Sequence, residues 1–349
     1  MVASVANVGP VAGPAPLGAP AAGGGGLGVH TAEPGVRSGN TGATPVRRRM
    51  GAVGRRPIWL AVPAALLLLV VVGVPVGLNV YLSFFNITIS NLSHWLSAPF
   101  AALRNYGSAI TSPTTGAVSA VDALVVSVEF SVVTTAIAAP IGLLVALSLN
   151  HRFRGRAALR SVYLVPYVLP TFVTAVVARM MFMNGTGLVD KALALVHLGG
   201  PSTYWLLGPN AFWAMVATDV WASWPFIYIM ALAGLSSVPS DLYEAAEIDG
   251  AGYMAKIRWV VLPQLRNVLA LALLLSTIYH FGNFTLPFVM FGNPPPAPVD
   301  VLPIDIYYRA FTSFQYGIAA ATAVLTLVVM AVPGYVYLRM TRLASSGAQ

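Results

Sequence analysis

Residues Ser237–Leu265 read SVPSDLYEAAEIDGAGYMAKIRWVVLPQL. Within this stretch and at its edge lie Asp241, Glu244, Glu247, Asp249, Lys256, Arg258 and Arg266, yet long apolar segments flank it on both sides. Asp241 is placed to cap a short helix, with Glu244 three positions on as its capping-box partner. Leu242, Ala245 and Ala246 share one face at helical spacing. Gly250 is placed to end that helix, where a left-handed residue is favoured. A second helix is expected with Met254, Ile257 and Val261 on one face, and Leu262-Pro263 is expected to turn the chain back into the next apolar segment. The pattern is a charged, helix-forming loop set between membrane segments. On pattern alone it reads first as an ordinary amphipathic connector, and only second as a handle for another protein.

Working outward, six apolar segments surround this loop: Ile58–Leu82, Ala123–Leu149, Leu159–Phe182, Ala211–Leu235, Leu269–Phe291 and Ile318–Leu338. Each meets the about 20 residues that a bilayer core requires. Backbone polar groups in lipid must be satisfied within the segment, so each is expected to be one helix despite prolines at 63, 75, 140, 166, 170, 225 and 333. The chain is 57% hydrophobic and 9% charged, against about 25% charged in soluble domains. A lipid-facing exterior accounts for the difference. The absence of cysteine excludes a disulfide framework and a cysteine-based metal or redox site.

The net charge of +8 is distributed as a topology signal and not as a nucleic-acid stripe. Arg37, Arg47, Arg48, Arg49, Arg55 and Arg56 precede the first segment, and Arg152, Arg154, Arg156 and Arg160 crowd the loop after the second. Lys256, Arg258 and Arg266 lie in the long loop, and Arg339 and Arg342 follow the sixth segment. The alternate loops hold Arg104, Lys191 and Arg309, with aromatic anchors such as Trp95, Tyr106, Tyr204, Trp205, Tyr307 and Tyr308. Both termini are therefore expected in the cytoplasm of a multi-pass plasma (inner) membrane protein. Residues 1–56, rich in Gly, Pro and Ala, read as a disordered cytoplasmic tail and not as a signal peptide. Residues 57–340 form the membrane domain, and 341–349 a short cytoplasmic tail.

The spacing Glu244-Ala245-Ala246, three residues, Gly250, nine residues, then Val260-Val261-Leu262-Pro263 resembles the E-A-A loop of ABC importer permeases, with Val260 where that family usually has Ile. The string DLYEAAEIDGAG at 241–252 is similar to the carbohydrate branch, of maltose and glycerol-phosphate type. The resemblance covers 57–340. It is also carried by Leu103-Arg104-Asn105-Tyr106, by Val220-Trp221 and Pro225-Phe226, and by Phe311 with Tyr316-Gly317-Ile318-Ala319-Ala320-Ala321. It implies an all-α, six-helix permease of a type I importer. The expected partners are a second permease, two ATPase subunits, an extracytoplasmic solute-binding protein and a sugar or sugar-like substrate. On this resemblance Asp241, Glu244, Ala245, Ala246, Asp249, Gly250, Leu262 and Pro263 carry coupling to the ATPase.

The chain itself is no ATPase. A phosphate loop needs Gly-Lys-Ser or Gly-Lys-Thr, and the only lysines, Lys191 and Lys256, precede Ala192 and Ile257. The resemblance therefore implies no cofactor here, with ATP and Mg bound by the partner. In the fifth segment, TIYHFGNFTLPF resembles the sugar-contacting string of maltose-type permeases and places His280, Gly282 and Asn283 at the contacts. His280 stands where that permease has an amide. Gly292-Asn293-Pro294-Pro295-Pro296 departs from the branch's Gly-Gly-Pro. Trp221, Trp224 and Tyr228 offer aromatic faces for a sugar ring and read equally well as packing.

Polar groups inside spans are costly and often functional. Glu129, Arg179 and Asp219 are read as packing groups, with Arg179 either snorkelling or paired to one carboxylate. Two rivals remain on sequence: a stand-alone secondary transporter using Glu129 and Asp219 for a coupling ion, and a membrane-embedded glycosyl transferase, which would show clustered acids at a membrane face.

Overall fold

A computed structural model describes residues 61–112, 118–151, 153–195, 203–292 and 294–346. The tail expected over 1–56 lies outside them. Among the described residues the chain is helical, without a strand, and five helices are long and apolar enough to cross a membrane. A bent pair of helices, counted as one span, brings the number to six.

The first span, Val62–Leu82, widens at Leu69–Gly73 into a π-turn, where the Val74 amide donates to the Leu69 carbonyl. The widened turn sits immediately before Pro75, whose missing N–H and ring would otherwise disrupt an α-rung. None of this span is buried within the chain. Spans two, Ala120–Ser148, and four, Asn210–Ser236, stay continuous through Pro140 and Pro225. They pack closely at Gly142. A Cβ there would lie 2.7 Å from the Trp224 carbonyl oxygen and 2.8 Å from the Tyr228 nitrogen. A small residue at the contact lets two backbones approach where lipid supplies no hydrophobic drive for helix pairing.

The third span is not one helix. Arg156–Val168 and Thr171–Met181 meet at an angle of 86°. Leu169, the residue before Pro170, is extended at φ −67°, ψ 133°, as a following proline favours. Pro166 lies four residues earlier, so Pro170 has no N–H to donate to its carbonyl, and the ladder opens there.

The fifth span also departs from expectation at both ends. The helix runs unbroken over Tyr253–Phe281, so Leu262-Pro263 does not turn the chain. A π-turn at Ile257–Val261, closed by the Leu262 amide on the Ile257 carbonyl, accommodates Pro263 inside the helix. The second helix of the loop and the fifth span are thus one element. That element stops at Phe281, and a separate short helix, Thr285–Phe291, follows the break at Gly282-Asn283. The sixth span lies in the helix Tyr316–Ser346, which continues beyond Leu338.

Two of the sequence strings that carry the family resemblance meet in space. The Asn105 amide donates to the Ser83 carbonyl at 2.9 Å and the Phe85 carbonyl at 2.8 Å. The Tyr106 hydroxyl lies 2.7 Å from Ser83 Oγ. The Gly317 amide donates to the Ile87 carbonyl, and a Cβ at Gly317 would collide with the Phe85 carbonyl oxygen and crowd the Asn105 amide. These contacts tie the end of span one, the helix Arg104–Thr111 and the start of span six into one knot.

Candidate functional site

The loop that opened the sequence reading forms the helix Ser240–Ile248. Its N-cap position is Pro239, and no side chain caps it. Asp241 lies in the first turn instead of at the cap, so the expected capping box with Glu244 does not form. The acid is still well placed, since negative charge in a first turn complements the helix dipole. The C-terminus closes as the sequence suggests. Gly250 takes φ +75°, its amide donates to the Glu247 carbonyl, and the Ala251 amide donates to the Ala246 carbonyl. That is a Schellman closure, in which glycine adopts the left-handed region without a Cβ penalty.

Lys256 Nζ reaches back 2.6 Å to Glu247 Oε1, bridging the glycine break. Tyr243 packs against the cluster of Ala146, Leu149, Leu235, Val261 and Leu265 and holds the loop helix to the bundle; burial pushes its phenol pKa up. Asp241, Glu244, Ala245, Asp249 and Gly250 are exposed, and Ala246 is half-buried. Ile248 at 87%, Met254 at 75% and Trp259 at 72% exposure add apolar surface beside them. Leu262 and Pro263 lie apart from this exposed corner, within the fifth span's helix.

A second site lies among spans three, four and five. The bend at Leu169-Pro170 opens a cavity of about 520 Å3 lined by Pro166, Tyr167, Leu169, Thr171 and Thr174 from both sides of the break. Asp219, Ala222, Ser223 and Phe226 of span four, Leu275, Ser276 and Tyr279 of span five, and Leu286 complete the lining. That volume falls within the roughly 300–1,000 Å3 of small-molecule sites. Tyr167 and Phe226 stack at 6.2 Å on one wall, and the Thr171 and Tyr279 hydroxyls meet at 3.4 Å.

The polar wall is built by long-range pairing. Asp219 Oδ2 accepts from His280 Nδ1 at 2.6 Å, and Asp219 Oδ1 accepts from Asn283 Nδ2 at 3.4 Å. A carboxylate only accepts, so the imidazole is the donor in the first bond. His280 Nε2 lies 3.0 Å from Ser276 Oγ. The Asn283 side-chain oxygen accepts from the Leu286 amide and so starts the helix that follows the break. Thr174 and Ser223 line the same cavity, but their hydroxyl oxygens are buried away from its surface and have no hydrogen-bond partner. Each unmade bond of this kind costs about 1–3 kcal/mol.

The residues expected on the substrate path stand as follows relative to this cavity. His280 and Asn283 are buried, at 1% and 7% exposure, and stand behind Asp219 without lining the cavity. Gly282 is exposed at the helix break. Trp221 is 46% exposed and off the cavity. Trp224 packs on Tyr163 at 5.7 Å and on the buried Tyr228 at 6.2 Å. Aromatic faces come instead from Tyr167, Phe226 and Tyr279. Asp219 is no packing group for Arg179, whose guanidinium donates to the Val289 carbonyl at 3.4 Å from an exposed position. Glu129 faces outward from span two. The hydroxyls of Thr174, Ser223 and Ser276 were missed because every span is apolar around its circumference, and short polar side chains in such helices give no directional signal.

A helical membrane bundle with a largely apolar cavity between its spans and an exposed helical loop suits a transport subunit. The chain belongs to the family of binding-protein-dependent transport system inner membrane components, whose match covers residues 138–342. It is 34% identical over 245 residues to the trehalose/maltose transport system permease protein MalF of Thermococcus litoralis, spanning 70% of this chain and 80% of that one. Over 286 residues it is 30% identical to the sulfoquinovosyl glycerol transport system permease protein SmoG of Agrobacterium fabrum, spanning 82% and 90%. The fold matches that of a bacterial alginate ABC transporter, solved in complex with an alginate pentasaccharide-bound periplasmic protein. The TM-score is 0.68 at 20% identity, over 82% of this chain and 95% of that one. The resemblance to carbohydrate-importer permeases drawn from the loop is borne out.

Proposed function

We propose that this chain forms, with a second permease, the membrane path for a sugar or sugar-like solute, and that the cavity among spans three, four and five is where the solute is held. The observation that carries this reading is a cavity of small-molecule size that sets Asp219 and the Thr171 and Tyr279 hydroxyls among aromatic faces. A polyhydroxylated ring supplies both donors and acceptors to such groups. Aromatic faces suit the apolar face of such a ring.

Coupling to a separate ATPase is assigned to the corner around Glu244, Ala245, Ala246 and Gly250. Small and acidic residues lie there beside exposed Ile248, Met254 and Trp259, outside the apolar spans. ATP and Mg would be bound by that partner, and an extracytoplasmic binding protein would deliver the solute from the other face. The Arg and Lys bias puts both termini and this loop on the cytoplasmic side. Cysteines placed at Ser112 and Ala297 should label from outside in intact cells, and those at Gly155 and Ser345 should not.

The cavity is tested by Ser223→Phe, which fills it from span four. Uptake of solute should fall at least tenfold while the variant still co-purifies with its ATPase. Normal uptake would remove the cavity from the path. Loss of ATPase co-purification in the parent chain would favour a stand-alone transporter, for which neither the family match nor the exposed loop has an explanation.

A further inference from the structure

The cavity's lining holds one acidic side chain, Asp219, and no lysine or arginine. We infer that Asp219 is a specificity-determining residue that selects uncharged sugars and rejects those bearing a carboxylate or sulfonate. The inference rests on the reading of this cavity as the sugar site. Family membership leaves the charge of the solute open, whereas the lining residues do not.

Among the described residues that line the cavity there is no lysine or arginine, and Asp219 is the one acid. The carboxylate is 2% exposed and is fixed from behind by His280 Nδ1 at 2.6 Å and Asn283 Nδ2 at 3.4 Å. In the tautomer that donates from Nδ1, the imidazole Nε2 accepts from Ser276 Oγ at 3.0 Å, so the hydrogen-bond chain runs from Ser276 through His280 to Asp219. This chain holds the carboxylate in place and leaves its remaining lone pairs as acceptors for ligand hydroxyls.

A neutral sugar brings hydroxyl donors to those lone pairs and acceptors to the Thr171 and Tyr279 hydroxyls on the same cavity. An anionic sugar brings acceptors only at its charged end. It would face a fixed carboxylate in a partly desolvated space whose lining offers no lysine or arginine to pair with. Like-charge juxtaposition of this kind is a device for excluding wrong partners.

The test uses the full complex of this chain, its partner permease and their ATPase subunits in nanodiscs, without binding protein, so that the permease site alone is read. Isothermal titration is performed with trehalose and maltose, and with the uronate of each in which one primary hydroxyl is oxidised to carboxylate. At least one neutral sugar should bind at least tenfold more tightly than its own uronate, and Asp219→Asn should narrow that ratio at least fivefold. Equal affinity for a sugar and its uronate in the parent complex overturns the inference without reference to any variant. So does a ratio that Asp219→Asn leaves unchanged.

The two readings fail separately. If Ser223→Phe abolishes neutral-sugar binding but the parent complex does not discriminate by charge, the cavity stands and the charge filter falls. If Ser223→Phe leaves binding intact, or neither neutral sugar binds the parent complex, the sugar reading falls and takes the filter with it.

Discussion

In the loop helix Ser240–Ile248, the closing hydrogen bonds span five residues or fewer, from Gly250 to Glu247 and from Ala251 to Ala246. At the cavity, Asp219 finds its partners 61 and 64 positions away, in His280 and Asn283. The loop's shape is therefore written into its own sequence, and it remains exposed for a partner outside the chain. The cavity's shape exists only once three spans are packed, and its partners are internal. A substitution that disturbs only local geometry should spoil coupling and spare the bundle. One that disturbs inter-span geometry should do the reverse.

The largest effect is expected where backbones touch. A Cβ at Gly317 would collide with the Phe85 carbonyl oxygen, and a Cβ at Gly142 would press on the Trp224 carbonyl and Tyr228 amide nitrogen. Backbone cannot yield as a flexible side-chain end can, and overpacking costs about 1–3 kcal/mol or more. Gly317→Val and Gly142→Val should each sharply lower the thermal midpoint of the purified permease and its yield in membranes. A stable Gly142→Val variant would break the comparison, since spans two and four would then not be held by that contact.

These contacts also show what the sequence could tell. The six segments, the glycine closure at Gly250 and the family of the chain were legible, because apolar length and local turn chemistry are local properties. The bend at Leu169-Pro170 was not. Pro140 and Pro225 lie in uninterrupted helices of 29 and 27 residues, so a proline in a span does not announce a break. What differs is Leu169, which takes an extended conformation before Pro170 while the residues before Pro140 and Pro225 stay helical. The partners of Asp219 were not legible for a related reason: its rotational position around an all-apolar helix depends on which neighbours pack, and nothing local specifies them.

A further buried group tests whether burial by distant residues behaves alike away from the cavity. Asp300 follows the short turn Ala297–Val299 and is fully buried. Burial first, then the nearby Asp305, push its pKa up from 3.8 to about 7, against the opposing pull of the Val118 backbone and Arg309. The native state thus binds this proton more tightly than the unfolded chain does. The sign follows by linkage: the group does not oppose folding below its unfolded pKa, opposes it increasingly as pH rises toward 7, and levels off above that. Asp300→Asn should therefore match the parent in thermal midpoint near pH 4 and exceed it by several degrees at about pH 8. Equal midpoints at both pH values would show that this carboxyl is stabilised by contacts stronger than its burial.

Returning to the loop, Gly250 is exposed at φ +75° with open space around its Cβ position. A valine there would meet no neighbour but would have to leave the left-handed region, at about 1–2 kcal/mol. Gly250→Val should leave the thermal midpoint of the bundle nearly unchanged while weakening ATPase co-purification, or while uncoupling hydrolysis from uptake. Normal recruitment and uptake would mean that the loop is a connector, and the local side of the comparison would lose its function.

The smallest effect is expected at Lys256. Its ammonium lies 2.6 Å from Glu247 Oε1, but the Glu247 side chain is 66% exposed. An ion pair open to solvent contributes about 0.2–1 kcal/mol and weakens with salt. If the loop's shape comes from the Schellman closure, the pair is secondary, and Lys256→Ala should reduce ATPase recruitment less than Gly250→Val does. The remaining deficit should shrink further when the parent is compared at high salt, because screening removes the pair from the parent as well. A Lys256→Ala defect as large as that of Gly250→Val, and insensitive to salt, would place Lys256 in the docking contact itself. The loop would then depend on a side chain bridging its two helices, and the glycine closure alone would not account for its shape.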